Sequence, residues 1–161
     1  MKQLLVQKLH EDAFVPHKDR HCDEGYDLFS VGEYVLEPKS HVMVSTGIAA
    51  WACEVTDTFV RGVREEVHEN KYWLQIEGRS GLASKGIFPI GGIVDSGYRG
   101  EIKVMLVNMG TEPLDIEKGS KIAQLIIHEH RDCYVECVEK LPEGSRGNKG
   151  FGSSGNKAKK T

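Results

Sequence analysis

The chain has 161 residues, of which 39% are hydrophobic and 28% charged; this suits one domain with its own core and excludes a disordered chain. Its net charge of −3 argues against broad nucleic-acid binding, which needs a positive field, yet leaves room for a small anionic ligand held by local donors. No apolar run approaches the roughly 18 residues of a membrane span, so no membrane partner is expected.

Short β-strands punctuated by glycine, proline and charge dominate the chain. "KQLLVQKL" (2–9) opens the series. "EGYDLFS" (24–30) follows, with Asp27 inside an apolar run. An acid there is costly to bury unpaired, and Arg79 is a candidate partner. "YVLEP" (34–38) leads to a turn at Pro38–Lys39, and "HVMVSTGIAAWA" (41–52) is a long strand-forming stretch. The charged segment 54–70 reads as an external hairpin or loop inserted in the domain. "KYWLQIE" (71–77) returns to strand.

"GRSGLASKG" (78–86) carries the best helix candidate, at 80–85, with Ser80 as its N-cap. The first amides of a helix lack internal partners, and Arg79 adds a permanently charged fork. Ser80 adds a hydroxyl, and Gly81 allows close approach. Together they describe an anion cradle. "GGIVDSGYRG" (91–100) reads as a glycine-rich hairpin around Asp95. "EIKVMLVNMG" (101–110), "PLDIEKG" (113–119), "KIAQLIIHEH" (121–130) and "CYVECVEKL" (133–141) complete the strands. Gln124 is a polar residue in an otherwise apolar run and needs partners of its own.

The cysteines are Cys22, Cys53, Cys133 and Cys137. "MKQLLVQKLHEDAF" lacks the apolar core of a secretion signal, so reduced thiols in a cytoplasmic or nuclear compartment are expected. Cys133 and Cys137 have no second Cys/His pair at matching distance and read as thiols rather than zinc ligands. From residue 144 onward the chain is glycine-, serine- and lysine-rich and reads as a flexible arm. Phe151 is the one aromatic there, framed by glycines in "SRGNKGFGSSG" (145–155). The expected fold is all-β, a jelly-roll-like barrel over 1–143 with one short helix, followed by the arm at 144–161.

The motifs G-Y-D-L, R-S-G-L-A-x-K, G-x-V-D-x-x-Y-R-G, G-x-x-I-A-Q-L-I and R-G-x-x-G-F-G-S-x-G occur in this order. The pattern, spread over roughly 22–155, resembles that of the trimeric deoxyuridine triphosphatases (dUTPases). The resemblance implies a homotrimer with active sites shared between subunits. It also implies hydrolysis of dUTP to dUMP and pyrophosphate, with Mg²⁺ on the triphosphate. That reaction limits uracil in DNA and supplies dUMP for thymidylate synthesis.

By resemblance, Asp95 is the catalytic carboxylate and Gln124 helps hold phosphate and the attacking water. Tyr98 packs under the deoxyribose and excludes a 2′-hydroxyl. The backbone of Gly92, Ile93 and Val94, facing the strand near Lys103, reads uracil. Arg79, Ser80 and Gly81 contact phosphate. Arg146, Phe151, Gly152, Ser153 and Ser154 form a closing arm, with Phe151 stacked on the base. No residue ligates metal directly, and Asp27 supports the metal's water shell or Arg79.

The chain departs from the family at Gly78, where proline is common, and at Gly97, where an acid is frequent. Lys149 and Ser154 stand where glycine and threonine are usual. The resembling dCTP deaminases need a glutamate near position 105, and Met105 cannot move protons. A nucleotide-sensing or protein-interaction role on the same scaffold is the alternative from another class.

Overall fold

The computed structural model describes residues 1–60, 63–145 and 147. The chain forms two units, Met1–Arg131 and Asp132–Thr161. In the first unit the strands are β1 (Lys2–Lys8), β2 (Tyr26–Phe29), β3 (Tyr34–Leu36), β4 (His41–Ser45), β5 (Ile48–Val60) and β6 (Val63–Glu69). They continue with β7 (Tyr72–Glu77), β8 (Ile87–Ile90), β9 (Ile93–Val94), β10 (Lys103–Asn108), β11 (Leu114–Ile116) and β12 (Lys121–Glu129). One helical turn, α1 (Ser80–Ala83), lies between β7 and β8. The sheets run β1-β5-β6, β4-β10-β8, β11-β3 and β2-β12-β7-β9, and every pairing between named strands is antiparallel. This is the expected all-β, jelly-roll-like architecture with one short helix.

The inner faces follow the two-residue period of a half-buried strand. In β10, Val104, Leu106 and Asn108 are fully buried while Lys103 is exposed. Val104 and Leu106 meet Leu28, Leu36, Val44, Ile76, Ile102 and Leu125 in one apolar cluster. The buried Asn108 amide is satisfied: it donates to the carbonyls of Leu36 (3.1 Å) and Glu112 (2.8 Å), and its oxygen accepts from the Gly110 amide (2.9 Å).

Several expectations need correction. The stretch 41–52 is not one strand. It breaks at Thr46–Gly47, where Gly47 takes a φ of 66°, and β4 and β5 enter different sheets. The stretch 91–100 is not a two-stranded hairpin: β9 pairs with β7, whereas β10 pairs with β4 and β8. The helix is one turn, 80–83. Arg79 occupies the cap position without a side-chain capping bond, so Ser80 is the first helical residue and not the cap. The strand Ile87–Ile90 is absent from the sequence reading because Pro89 disguises it. It sits at a sheet edge, where proline is tolerated.

Residues 54–60 and 63–69 lie on β5 and β6, paired from Glu54↔Glu69 outward to Val60↔Val63. The register of β1 ends at Glu54, so the ribbon continues beyond it as two strands alone. Opposed acids on paired strands repel. Lys71 answers the pair at the root, 3.0 Å from Glu54 and 2.7 Å from Glu69, and both carboxylates push its pKa well up.

In the second unit, the described residues hold no strand or helix, so the expected strand at 133–141 is not formed. A strand needs a neighbour for its amides, and no described segment of this unit supplies one. Tyr134 and Val135 are 104% and 96% exposed.

Candidate active site

Two cavities hold the described candidate residues. The first, about 780 Å³, is lined by Asp27, Arg79, Ser80, Gly81, Lys121 and Gln124, among others. Register builds it. Asp27 on β2 stands opposite Gln124 on β12, and Gln124 stands opposite Glu77 on β7. The chain then leaves β7 through Gly78 into Arg79 and the helical turn.

A β-bulge in β12 between Lys121 and Ala123 makes this row possible. It lets the consecutive residues Ile122 and Ala123 both face the core, then turns Gln124 toward the cavity. Gln124 Nε2 donates to the Gly78 carbonyl at 2.7 Å, which ties β12 to the approach to α1. Gly25 is needed here, because a Cβ would fall 2.1 Å from the Gln124 side-chain oxygen.

Asp27 is nearly buried, at 7% exposure, and its charge is fully answered. One carboxylate oxygen contacts the Arg79 guanidinium and the other lies 2.8 Å from Lys121 Nζ. Lys121 also reaches Asp19 at 2.6 Å, and that contact holds the Asp19 carboxyl below its usual range. The amides of Leu82 and Ala83 are spent on the Arg79 carbonyl. This leaves those of Ser80 and Gly81 ahead of the helix's own bonds, with open space where a Gly81 Cβ would stand. The cavity thus brings three cations, Arg79, Lys85 and Lys121, early amides and a hydroxyl beside the acids Asp19, Asp23, Glu24 and Asp27, and these donors suit phosphate oxygens.

The second cavity, about 590 Å³, is lined by Ile93, Val94, Asp95, Tyr98, Lys103 and Glu101, with Met43, Ile76, Gly91 and Ile102. Its lining carries the polar side chains of Asp95, Tyr98, Glu101 and Lys103, and β9 in its wall is continued by Gly92, which ties it to β7. Gly92 accepts the Ile76 amide at 2.7 Å, and a Cβ at Gly92 would fall 2.4 Å from the Ile76 carbonyl oxygen. Only glycine fits there. The Asp95 carboxylate is exposed and makes no ion pair or hydrogen bond among the described residues. The Tyr98 amide donates to the Asp95 carbonyl at 3.0 Å, and its hydroxyl donates to the Glu101 carbonyl at 3.0 Å. Tyr98 also crowds Gly100, where a Cβ would meet the phenol oxygen at 2.5 Å.

Glu101 was not foreseen. Burial raises its pKa, but the Ser45 hydroxyl, the Gly47 amide (3.0 Å) and Lys103 together hold it below the usual range. Lys121 was missed as well. It stands three residues before Gln124, a spacing that puts two residues on opposite faces of a regular strand; only the bulge brings them to one cavity. The two cavities share no lining residue, so Asp95 and Tyr98 lie apart from Arg79, Ser80, Gly81 and Gln124 within one chain. Arg146, Phe151, Gly152, Ser153 and Ser154 fall outside the described residues.

A model of the dUTPase family matches residues 11–155. The deoxyuridine 5′-triphosphate nucleotidohydrolase of Clostridium novyi (strain NT) is 40% identical over 156 residues, covering 95% of this chain and 99% of its own. A dUTPase of Staphylococcus bacteriophage 80alpha, solved with dUpNHpp, aligns with a TM-score of 0.79 at 27% identity, over 96% of this chain and 99% of that one. A dUTPase from phage phi11 of S. aureus, whose structure details coordination of a structural Mg(II) ion, shares the fold. It aligns with a TM-score of 0.70 at 24% identity, over 88% of this chain and 99% of that one.

Proposed function

The chain belongs to the dUTPase family and hydrolyses dUTP to dUMP, and we propose the following division of that work among its residues. The carrying observation is the split between a cation-bearing cavity and a separate cavity that holds the exposed Asp95 carboxylate, which has no partner among the described residues. The second cavity takes the nucleoside. The backbone at Gly92, Ile93 and Val94, across from Lys103, reads the base. Tyr98 forms the wall that leaves no room for a 2′-hydroxyl. Asp95 takes a proton from the water that attacks the α-phosphorus. As the new P–O bond forms, the bond to the pyrophosphate group breaks and pyrophosphate leaves with its charge. Arg79, Ser80, Gly81 and Gln124 hold the phosphate oxygens during that displacement.

Mg²⁺ bound to the triphosphate would offset its charge. Among the described residues no group of three or more His, Cys, Asp or Glu side chains forms a metal site. Both Asp27 oxygens already face cations. This donor set suits a metal held by phosphates and water, with Asp27 touching it only through water. Pyrophosphate release should therefore need added Mg²⁺, and chelation should abolish it.

One site is assembled from more than one copy in a homotrimer. Two observations support this. The cationic and nucleoside cavities share no wall within a chain. The outer face of β4-β10-β8 also exposes Met43 (46%), Phe88 (43%) and Ile90 (49%), an apolar surface that a second copy would cover. Co-expressed Asp95→Asn and Arg79→Ala chains, each inactive alone, should regain activity in mixed oligomers. No recovery would place each site within one chain.

The arm closes the site, with Phe151 against the base and Arg146, Gly152, Ser153 and Ser154 at the phosphates. Truncation after Gly144 should cripple turnover and leave the oligomer intact by light scattering. Specificity is tested by pyrophosphate release from dUTP, dCTP, dTTP and UTP. Equal turnover of all four would sink the base and sugar assignments.

A further inference from the structure

Arg99 follows Tyr98 directly, yet it does not line the nucleoside cavity. Its guanidinium folds back over the turn. Nη1 donates to the carbonyls of Ser96 (2.9 Å) and Tyr98 (2.8 Å). Nη2 reaches Asn70 Oδ1 at 3.5 Å, between β6 and β7. The group lies over the Trp51 ring, with the guanidinium carbon 4.0 Å from its centroid. Trp51 is held on β5 by pairing with Leu5 of β1, and His68 of β6 packs on its ring at 5.8 Å. Among the described residues its indole nitrogen is buried without a hydrogen-bond partner, and its ring carries the cation on one face.

The turn needs such a brace. Gly97 does not adopt the left-handed region, and a Cβ there would meet nothing within 4 Å. No side chain at 97 limits how the segment between Asp95 and Tyr98 moves. We propose that Arg99, seated on Trp51, is a positioning residue: it fixes the carbonyls of Ser96 and Tyr98, and through them the Asp95 carboxylate and the Tyr98 ring. The root of the β5–β6 ribbon thereby becomes part of the support of the reacting groups. This rests on the roles of Asp95 and Tyr98 given above.

The test uses the full-length protein and steady-state kinetics on dUTP and UTP. Arg99→Ala should lower kcat for dUTP about 10- to 100-fold with a smaller change in KM, because a misplacement of about 1 Å is that costly. It should also narrow the preference for dUTP over UTP, which a purely structural role would not move. Trp51→Phe keeps an aromatic face and should behave nearly as the parent, whereas Trp51→Leu should share the Arg99→Ala defect. Unchanged kcat and unchanged preference in Arg99→Ala overturn the proposal. If Arg99→Ala does not fold, the Trp51 pair decides, and equal behaviour of its two members overturns the proposal. Asp95→Asn, run alongside, separates the two levels. Its retained turnover would remove the assigned base, whereas a dead Asp95→Asn beside a normal Arg99→Ala would remove only the brace.

Discussion

The two cavities solve different problems with different materials. The cationic one is prepaid in charge: Arg79 and Lys121 are both held against Asp27 before any ligand arrives. An incoming triphosphate takes over contacts that an internal carboxylate already makes, so its cations need little reorganisation. The nucleoside cavity is shaped by the close approach of β9 to β7, where Gly92 leaves no room for a Cβ against the Ile76 carbonyl. Its one reacting carboxylate, Asp95, has no partner among the described residues. Binding and chemistry are therefore separable. Damage to the second cavity should appear in rate and selectivity, whereas damage to the first should appear in affinity as well as in rate, because Arg79 and Gln124 hold the reacting phosphate.

The sharpest break is Asp95→Asn. Removing the proton acceptor should cost on the order of 10²- to 10⁴-fold in kcat. Calorimetric binding of dUpNHpp should stay close to that of the parent. A large loss of binding would mean that Asp95 shapes the cavity as well as acting in it. Arg79→Lys tests the other side. Lysine keeps the charge but loses the planar fork that spans Asp27 and phosphate, so KM for dUTP should rise about 10-fold or more while kcat falls less. A loss confined to kcat would blur the division between the cavities.

Much of this division is legible in the residues, and where it is not the reason is geometric. An acid in an apolar run demands a partner, and Asp27 meets Arg79 as its chemistry requires. The stretch "KVMLVN" reads as a strand, but its alternation is imperfect: Met105 and Val107 on the other face are apolar too, and the inward Asn108 is polar, so the inner face is set by packing. Lys121 is different. Its place depends on a bulge, and nothing in "KIAQLII" announces one. The break at Gly47 hides inside a run rich in strand formers. It is set by tertiary ties: the Thr46 hydroxyl donates to the Ile102 carbonyl, and Glu101 takes the Gly47 amide. The segment 133–141 shows the converse failure, because a strand pattern without a neighbour makes no strand. The separation of Asp95 from Arg79 belongs to the same class. Sequence order places all the motifs on one chain, and only the sheet order shows that they open into different cavities.

Within the nucleoside cavity, Tyr98→Ala should act on selectivity more than on rate. Removing a wall that rejects one hydroxyl should narrow the dUTP-to-UTP ratio of kcat/KM by about 10-fold, the usual scale for steric discrimination. Competition between the two nucleotides in one assay reads this directly. An unchanged ratio would move the sugar check elsewhere, with Met43 and Ile102 the next walls to test.

The smallest expected effect concerns Glu101, which belongs to the nucleoside cavity and yet behaves like the charged groups of the other. Its carboxylate accepts from the Ser45 hydroxyl and the Gly47 amide and faces Lys103 at 3.4 Å. These contacts outweigh burial and keep its pKa below the ordinary 4.5. A depressed carboxylate stabilises the fold above its unfolded-state pKa. That contribution is lost as pH falls through the folded-state value. Glu101→Gln should therefore destabilise by about 1 kcal/mol at neutral pH, the scale of one charged hydrogen bond traded for a neutral one. The gap in melting temperature should close as pH drops below 4.5. A gap that stayed constant through acid would show that Glu101 acts by packing, and the charge-shaped cavity would then be the cationic one alone.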